Sequence, residues 1–139
     1  MAIYAQRSTV MFQHCDPAGI VFYPRYFEMV NVVVEQFFDE VVGWSFGQMH
    51  VTERMGVPMG RIAAEFHAPS RLDDRLDWTL VTGRVGRASA EVVIRAACKG
   101  EARMTVRGTL VMVALDEMAA RPWPDRVRAV LKDYAEEQA

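Results

Sequence analysis

The chain is short of the residues that build cross-links and metal centres. Its 139 residues include two cysteines, Cys15 and Cys98, and three histidines, His14, His50 and His67. Two cysteines make no disulfide framework, and with no export signal they are expected to be free thiols in a reducing compartment. No His or Cys pair has the spacing of a zinc site, so no metal is expected. No apolar run reaches the roughly 18 residues that would suggest a membrane span. The N-terminal stretch Met1-Ala2-Ile3-Tyr4-Ala5-Gln6-Arg7 lacks a charged region followed by an apolar one, so no signal peptide is expected and the cytoplasm is the expected location. Neither sign of charge dominates: 16 Lys and Arg face 18 Asp and Glu, a net charge of -2. That balance gives no footprint for nucleic acid. There is no internal repeat, no low-complexity tract and no linker.

What is present suits one globular domain over residues 1–139. Hydrophobic residues make up 51% and charged residues 24%, an ordinary balance for a packed protein. A core of this size is useful, and an oligomer would bury more. Thr9-Val10-Met11-Phe12-Gln13 is β-prone and runs into a breaker, which predicts a strand. After Pro24, Phe27, Val30, Val34, Phe37, Phe38 and Val41 recur at three- and four-residue spacings, which predicts a long helix stopping near Gly43. This helix is apolar around much of its circumference and calls for cover on several sides. A loop with a short helical piece follows, over Trp44 to Met59. Four strands are predicted next: Arg61–Phe66, Arg75–Arg84 with period-two alternation, Ala90–Lys99 and Met104–Leu115. An amphipathic helix over Asp125–Glu136 closes the chain. Consecutive strands joined by short turns favour antiparallel pairing, so the simplest fold is α+β, one sheet wrapped around one apolar helix.

The chemistry concentrates in Asp16-Pro17-Ala18-Gly19-Ile20-Val21-Phe22-Tyr23-Pro24-Arg25-Tyr26. Pro24 suits the first position of a helix, where its missing N–H costs nothing. Asp16 then sits in the loop just before free helix N-terminal amides, which can bind an anion or a developing oxyanion. A fixed carboxylate facing fixed N–H donors is a usable device for acyl transfer. Asp before Pro is also an ordinary loop opener, so a pure turn role stands beside the catalytic one.

This eleven-residue run resembles the signature loop of the 4-hydroxybenzoyl-CoA thioesterase family of hotdog-fold proteins. The similarity continues through Glu65-Phe66-His67-Ala68-Pro69 and Asp73-Asp74 and extends to about Leu115. It implies a hotdog fold, with an antiparallel sheet wrapped around one long central helix. It also implies two subunits pairing into a continuous sheet, with active sites at their interface, in a homodimer or homotetramer. The implied activity is hydrolysis of an acyl-CoA, with an aromatic or medium-sized acyl group, to the carboxylic acid and free CoA. No cofactor is implied. Hydrolysis of acyl carrier protein or short aliphatic thioesters, and acyl-CoA binding without catalysis, are the alternatives.

Carried onto this chain, the resemblance makes Asp16 the nucleophile or general base and the backbone N–H of Tyr23 the oxyanion donor. Glu35 is the alternative carboxylate, because a second subgroup of hotdog thioesterases places its catalytic carboxylate in the central helix. Asn31 shares a helix face with Phe27 and Val34 and is either a core hydrogen-bonding group or a polar group at the acyl pocket. Related aromatic-acyl enzymes carry an acidic residue near this position. Arg84-Val85-Gly86-Arg87-Ala88-Ser89 lies in a turn which, in the family, helps to hold the nucleotide phosphates, so Arg87 and Ser89 are candidate substrate ligands. Arg suits that task because its guanidinium can bind two oxygens at once. A solvated surface turn is the alternative. His14 and Cys15, as neighbours on a strand, are expected to point to opposite faces and to form no dyad.

Overall fold

A computed structural model describes residues 2–136. Its elements are β1 (Tyr4–Thr9), α1 (Tyr23–Phe37), β2 (Met55–Gly56), β3 (Met59–Phe66), β4 (Arg75–Val85), β5 (Ser89–Cys98), β6 (Glu101–Val111), β7 (Val113–Ala114), β8 (Ala119–Ala120) and α2 (Asp125–Asp133). The main sheet is antiparallel throughout, in the order β1-β4-β5-β6-β3. Period-two alternation decides which side of it is apolar. Leu76, Trp78 and Leu80 of β4, Val92 and Ile94 of β5, and Met104, Val106 and Leu110 of β6 are all buried on one face. They form one core with Tyr26, Met29, Val30, Val33, Val34 and Phe37 of α1. Each fully buried side chain of this kind is worth about 1.5–3 kcal/mol relative to exposure.

The expected α+β architecture is therefore present. Cover on α1 is less complete than its composition suggests: Val32 is exposed, alongside Glu28, Asn31, Glu35 and Gln36. The helix continues through a wider π-type turn over Phe38–Val42 and ends at Gly43, whose φ of 74° is the left-handed conformation that favours glycine.

Several boundaries differ from the sequence reading, and four differences have a visible cause or consequence. The first strand is Tyr4–Thr9, and Phe12–His14 is a single 3₁₀ turn. The cause is local. The Met11 N–H donates to His14 Nδ1 at 2.8 Å and the His14 N–H donates to the Met11 carbonyl at 2.9 Å, which bends the chain away from the sheet. His14 and Cys15 are thus not strand neighbours. Pro24 occupies the second rather than the first helical position. The last long strand divides at Met112, whose N–H is taken by the Ala88 carbonyl at 2.7 Å; β7 then joins a small sheet, β2-β7-β8. The final helix stops at Asp133, because the backbone of Thr82 takes Tyr134 O and Glu136 N and draws the chain along β4.

One connection positions everything at the lower end of the sheet. Residues 67–74 join β3 to β4, and Arg103 of β6 holds them. Its Nη1 donates to the Pro69 carbonyl at 3.0 Å, to Ser70 Oγ at 3.1 Å and to Asp74 Oδ2 at 2.7 Å. Asp74 Oδ2 also accepts the Arg71 N–H at 2.9 Å. The hydrogen bonds from Arg103 and from the Arg71 amide hold the Asp74 carboxyl below its ordinary range. The Arg103 side chain is only 12% exposed, so this pair is not a solvated surface contact.

Two predictions follow from these contacts. Arg103→Met keeps the stem and removes the charge, leaving a half-buried carboxylate and a serine hydroxyl without their donor. It should lower unfolding stability by about 2 kcal/mol, the scale of hydrogen bonds to charged groups, as read by urea denaturation. The second concerns His14, whose pKa is lowered, first by burial and then by Arg25, against the opposing pull of Glu28. A depressed histidine pKa means the fold prefers the neutral ring. Stability from this group is full above the unfolded pKa of about 6.5 and is lost as pH falls through that value towards the folded one. The thermal midpoint of the wild type should drop more between about pH 7 and pH 5 than that of His14→Asn, which keeps an acceptor but does not titrate. Parallel curves for the two proteins would exclude this role for His14.

Candidate active site

The Asp16 loop is a tight hairpin whose residues match its turn chemistry. The Gly19 N–H donates to the Asp16 carbonyl at 2.9 Å and the Asp16 N–H donates to the Ile20 carbonyl at 3.1 Å. Pro17 supplies the fixed φ wanted at the second position of such a turn, and Gly19, with φ of 81°, supplies the left-handed residue. Asp16 Oδ1 accepts the Ala18 N–H at 2.8 Å, an Asx turn that fixes the carboxylate's orientation. The loop is pinned from outside by the Val21 N–H, which donates to the Ser70 carbonyl at 2.8 Å, and by a bridge between Ile20 and Arg71. Its position therefore depends on the Arg103-anchored connection.

The start of α1 narrows the donors to one. A helix leaves its first four N–H groups without intrahelical partners. Here the Phe22 N–H donates to the His14 carbonyl at 2.9 Å, Pro24 has none, and the Arg25 N–H donates back to the Phe22 carbonyl at 2.8 Å. No side chain caps the helix. The Tyr23 N–H is the one left over among the described residues. The sequence suggested several free amides; the fold leaves one, at the residue already singled out. The Tyr23 ring is 62% exposed and meets Phe66 edge-on, with ring centres 6.5 Å apart. Tyr23 lines a shallow groove of about 350 Å³ with Ile20, Tyr26, Phe66 and Pro69.

Two further cavities lie towards the other end of β3. One, of about 410 Å³, opens between α1 and the segments after it. Asn31 lines it with Phe27, Val34, Phe46, Met59, Ile62 and Leu115, and its other polar side chain is His50. Asn31 is thus at a cavity and not inside the packed core. The other is a groove of about 790 Å³ on the outer face of the sheet, lined by Arg61, Arg84, Arg87, Ser89 and Arg107, with Glu91 as its one carboxylate. None of these four arginines forms an ion pair with a described residue. The turn that carries Arg87 is pinned. Trp123 donates through its backbone N–H to the Arg87 carbonyl at 2.9 Å and through Nε1 to the Ser89 carbonyl at 3.1 Å.

Arg61 and Arg107 were not singled out from the sequence. The signal that points to them is the pairing of two alternating strands: Arg61 stands opposite Thr109, and Ala63 opposite Arg107, all on the outer face. His50 was likewise missed, because its segment has no clear period. Glu35 is exposed on α1 and lines neither cavity. Cys15 and Cys98 are unbridged. Among the described residues no three His, Cys, Asp or Glu side chains converge to hold a metal ion, and no helix is long and apolar enough to cross a membrane.

Within one chain, Asp16 and Arg87 are far apart. The Asp16 loop is bonded to Ser70, near the start of β4, whereas the arginine turn follows its end. The 11 residues of β4 between them span on the order of 30 Å at the usual strand rise.

Residues 10–131 match the model of the thioesterase-like superfamily. No curated protein matches the sequence significantly. Among solved structures, a 1,4-dihydroxy-2-naphthoyl-CoA thioesterase from Synechocystis is similar over 95% of this chain and 97% of its own, with a TM-score of 0.84 at 17% identity. A gentisyl-coenzyme A thioesterase is similar over 91% of this chain and 99% of its own, with a TM-score of 0.80 at 24% identity. A hypothetical protein from Staphylococcus aureus, solved in complex with CoA, is similar over 99% of this chain and 89% of its own, with a TM-score of 0.88 at 11% identity. At these identities the structural likeness speaks for the fold, which is the hotdog fold, and the match over residues 10–131 speaks for the family: the chain belongs to the thioesterase-like superfamily.

Proposed function

We propose that the protein hydrolyses an acyl-CoA, with an aromatic or medium-sized acyl group, to the carboxylic acid and free CoA, and that Asp16 is its catalytic carboxylate. The observation that carries this reading is the pairing of a carboxylate fixed by an Asx turn with the single uncommitted N–H of a helix start seven residues on. Asp16 supplies the electron pair, either to the thioester carbonyl carbon or to a water whose proton it takes. The carbonyl oxygen gains negative charge as the tetrahedral centre forms, and the Tyr23 N–H is placed to stabilise it. The carbon–sulfur bond then breaks and the CoA thiolate leaves, taking up a proton; on the direct route the acyl group is left on Asp16 as an anhydride, which water cleaves to release the carboxylic acid and restore the aspartate.

The distance along β4 supports a site made by two chains. To link Asp16 with the arginine groove of the same chain, a pantetheine arm would have to follow the length of β4, on the order of 30 Å. β3 is an edge strand, with β6 on one side and, among the described residues, no strand on the other, and such an edge is a template for pairing. Antiparallel pairing of β3 with a second copy about a two-fold axis would set the partner's Met59 end beside this chain's Phe66 end. That arrangement brings one subunit's Asp16 and Tyr23 towards the other's Asn31 cavity and its arginine groove. Arg87 and Ser89, with Arg61, Arg84 and Arg107, would then meet the nucleotide phosphates, and Asn31 the acyl group. The homodimer is the smallest unit that completes the site. Soluble acyl-CoA is the partner this arrangement calls for.

The assignment of Asp16 is tested by substitution. Asp16→Asn retains an oxygen that can accept the Ala18 N–H, so the turn survives while the charge and basicity are lost. Turnover of the best acyl-CoA should fall at least about 10²-fold, the low end for a positioned base, with CoA-ester binding little altered. Glu35→Gln should be mild. Near-normal turnover by Asp16→Asn beside an inactive Glu35→Gln would move the chemistry to the helix carboxylate. Absence of turnover in the wild type across an acyl-CoA panel would favour a binding protein instead.

The groove yields a separate expectation. Arg87→Ala should raise KM for the CoA ester more than it lowers kcat, because it removes binding that is equal in ground and transition states. A truncated thioester lacking the nucleotide should be indifferent to the change. An equal loss on both substrates would show that Arg87 does not bind phosphate.

A further inference from the structure

The 410 Å³ cavity is apolar except for Asn31 and His50. His50 Nδ1 lies 2.9 Å from the Phe46 carbonyl oxygen. A carbonyl oxygen only accepts, so Nδ1 must be the nitrogen that carries the proton. In the neutral ring this leaves Nε2 as a bare acceptor. The ring is also tilted against Phe46, with centres 4.7 Å apart, so it is held both by a hydrogen bond and by an aromatic contact. No described residue donates to Nε2.

Gly56 keeps that nitrogen uncovered. Its φ is not in the left-handed region, so the backbone alone would tolerate a side chain there. What a side chain would do is push the Leu115 tip aside and sit against the ring. A Cβ at position 56 would lie 2.8 Å from Leu115 Cδ2 and 3.5 Å from His50 Nε2. A larger residue would clash and cover the acceptor. Gly56 and His50 both line the cavity, so a rigid acceptor faces a space that is otherwise apolar. Pockets of this kind bind by apolar contact and are made selective by a few fixed polar groups.

We infer that His50 is a specificity-determining residue which accepts a hydrogen bond from a hydroxyl group on the acyl portion of the substrate. The inference rests on the reading of this cavity as the acyl pocket. It narrows the substrate to a mainly apolar acyl group that carries a hydroxyl donor. Asn31, with both a donor and an acceptor, cannot by itself distinguish a donor group from an acceptor group. His50 in its Nδ1–H form can.

The test separates binding from turnover by using non-hydrolysable thioethers. S-(hydroxybenzyl)-CoA isomers and S-benzyl-CoA are titrated calorimetrically into the wild-type protein. At least one hydroxylated isomer should bind about 5- to 10-fold more tightly than S-benzyl-CoA, the scale of one net hydrogen bond. His50→Asn can still donate to the Phe46 carbonyl but has no acceptor at the Nε2 position. It should bring the ratio to about one, whatever the change in S-benzyl-CoA affinity from the loss of the ring. His50→Gln, which can place an amide oxygen near Nε2, should restore part of the preference and guards against a folding defect in the asparagine variant. Equal binding of all analogues by the wild type would overturn the inference. So would a preference that survives in His50→Asn, or no binding at all. Tight, hydroxyl-selective binding together with no hydrolysis of the matching thioesters would instead overturn the enzymatic reading and leave the role of His50 standing.

Discussion

The Arg103 guanidinium is the contact on which the lower half of the molecule depends. It reaches from β6 to the connection between β3 and β4 and gathers Pro69, Ser70 and Asp74 around one nitrogen. The held segment then offers its own backbone to the Asp16 hairpin, through the Ser70 carbonyl and the Arg71 bridge. The hairpin in turn sets where α1 begins. A loop of this kind, which carries the proposed catalytic carboxylate, would ordinarily be among the more mobile parts of a fold. Here it is stapled to the sheet through a charge-assisted network, which suits a site that must hold a carboxylate and an N–H donor in one geometry.

The same sheet separates the molecule's two kinds of chemistry. At one end stand a carboxylate and a helix N-terminus. At the other stand four arginines without ionic partners and an apolar cavity. Arginines without ion pairs repel one another, and the single carboxylate of the groove, Glu91, does not balance four of them. The protein as a whole has a net charge of -2, so the groove is a local concentration of charge and not part of a basic surface. Strand length keeps these ends apart within a chain, and the proposed pairing of a second copy along the edge of β3 is what would bring the missing end alongside.

Much of this was legible in the sequence, and the parts that were not share a cause. Alternation in Arg75–Val85 and the three-and-four spacing behind Pro24 are local signals written by burial, and both elements stand where those signals put them. The Asp-Pro-Ala-Gly turn is local too, and each of its residues does what its turn chemistry requires. The first strand was misplaced because His14 competes for the Met11 N–H through a side chain, an effect no hydrophobic period records. The end of the last helix was misplaced because Thr82, some fifty positions earlier in the chain, captures the backbone after Asp133. Arg61 and Arg107 became neighbours only through the register of β3 against β6. Pairing between distant segments is what a single sequence hides, and the groove, the cavity and the placement of His50 are all products of such pairing.

The Asp16 loop also shows why structural and catalytic readings of one residue need not compete. The Asx turn needs an oxygen at position 16 to accept the Ala18 N–H, and asparagine would serve it as well as aspartate. A turn alone therefore does not explain a negative charge there. Asp16 has no cation beside it among the ion pairs of the described residues: Arg25 is spent on Glu28, and Arg71, which bridges Ile20, forms no ion pair with it. A half-buried carboxylate left without a counter-charge is a cost that folding does not require. It becomes useful when the group must deliver an electron pair, since a strong ion pair would lower its basicity. The excess of the residue over what its turn demands is the physical argument for chemistry at Asp16.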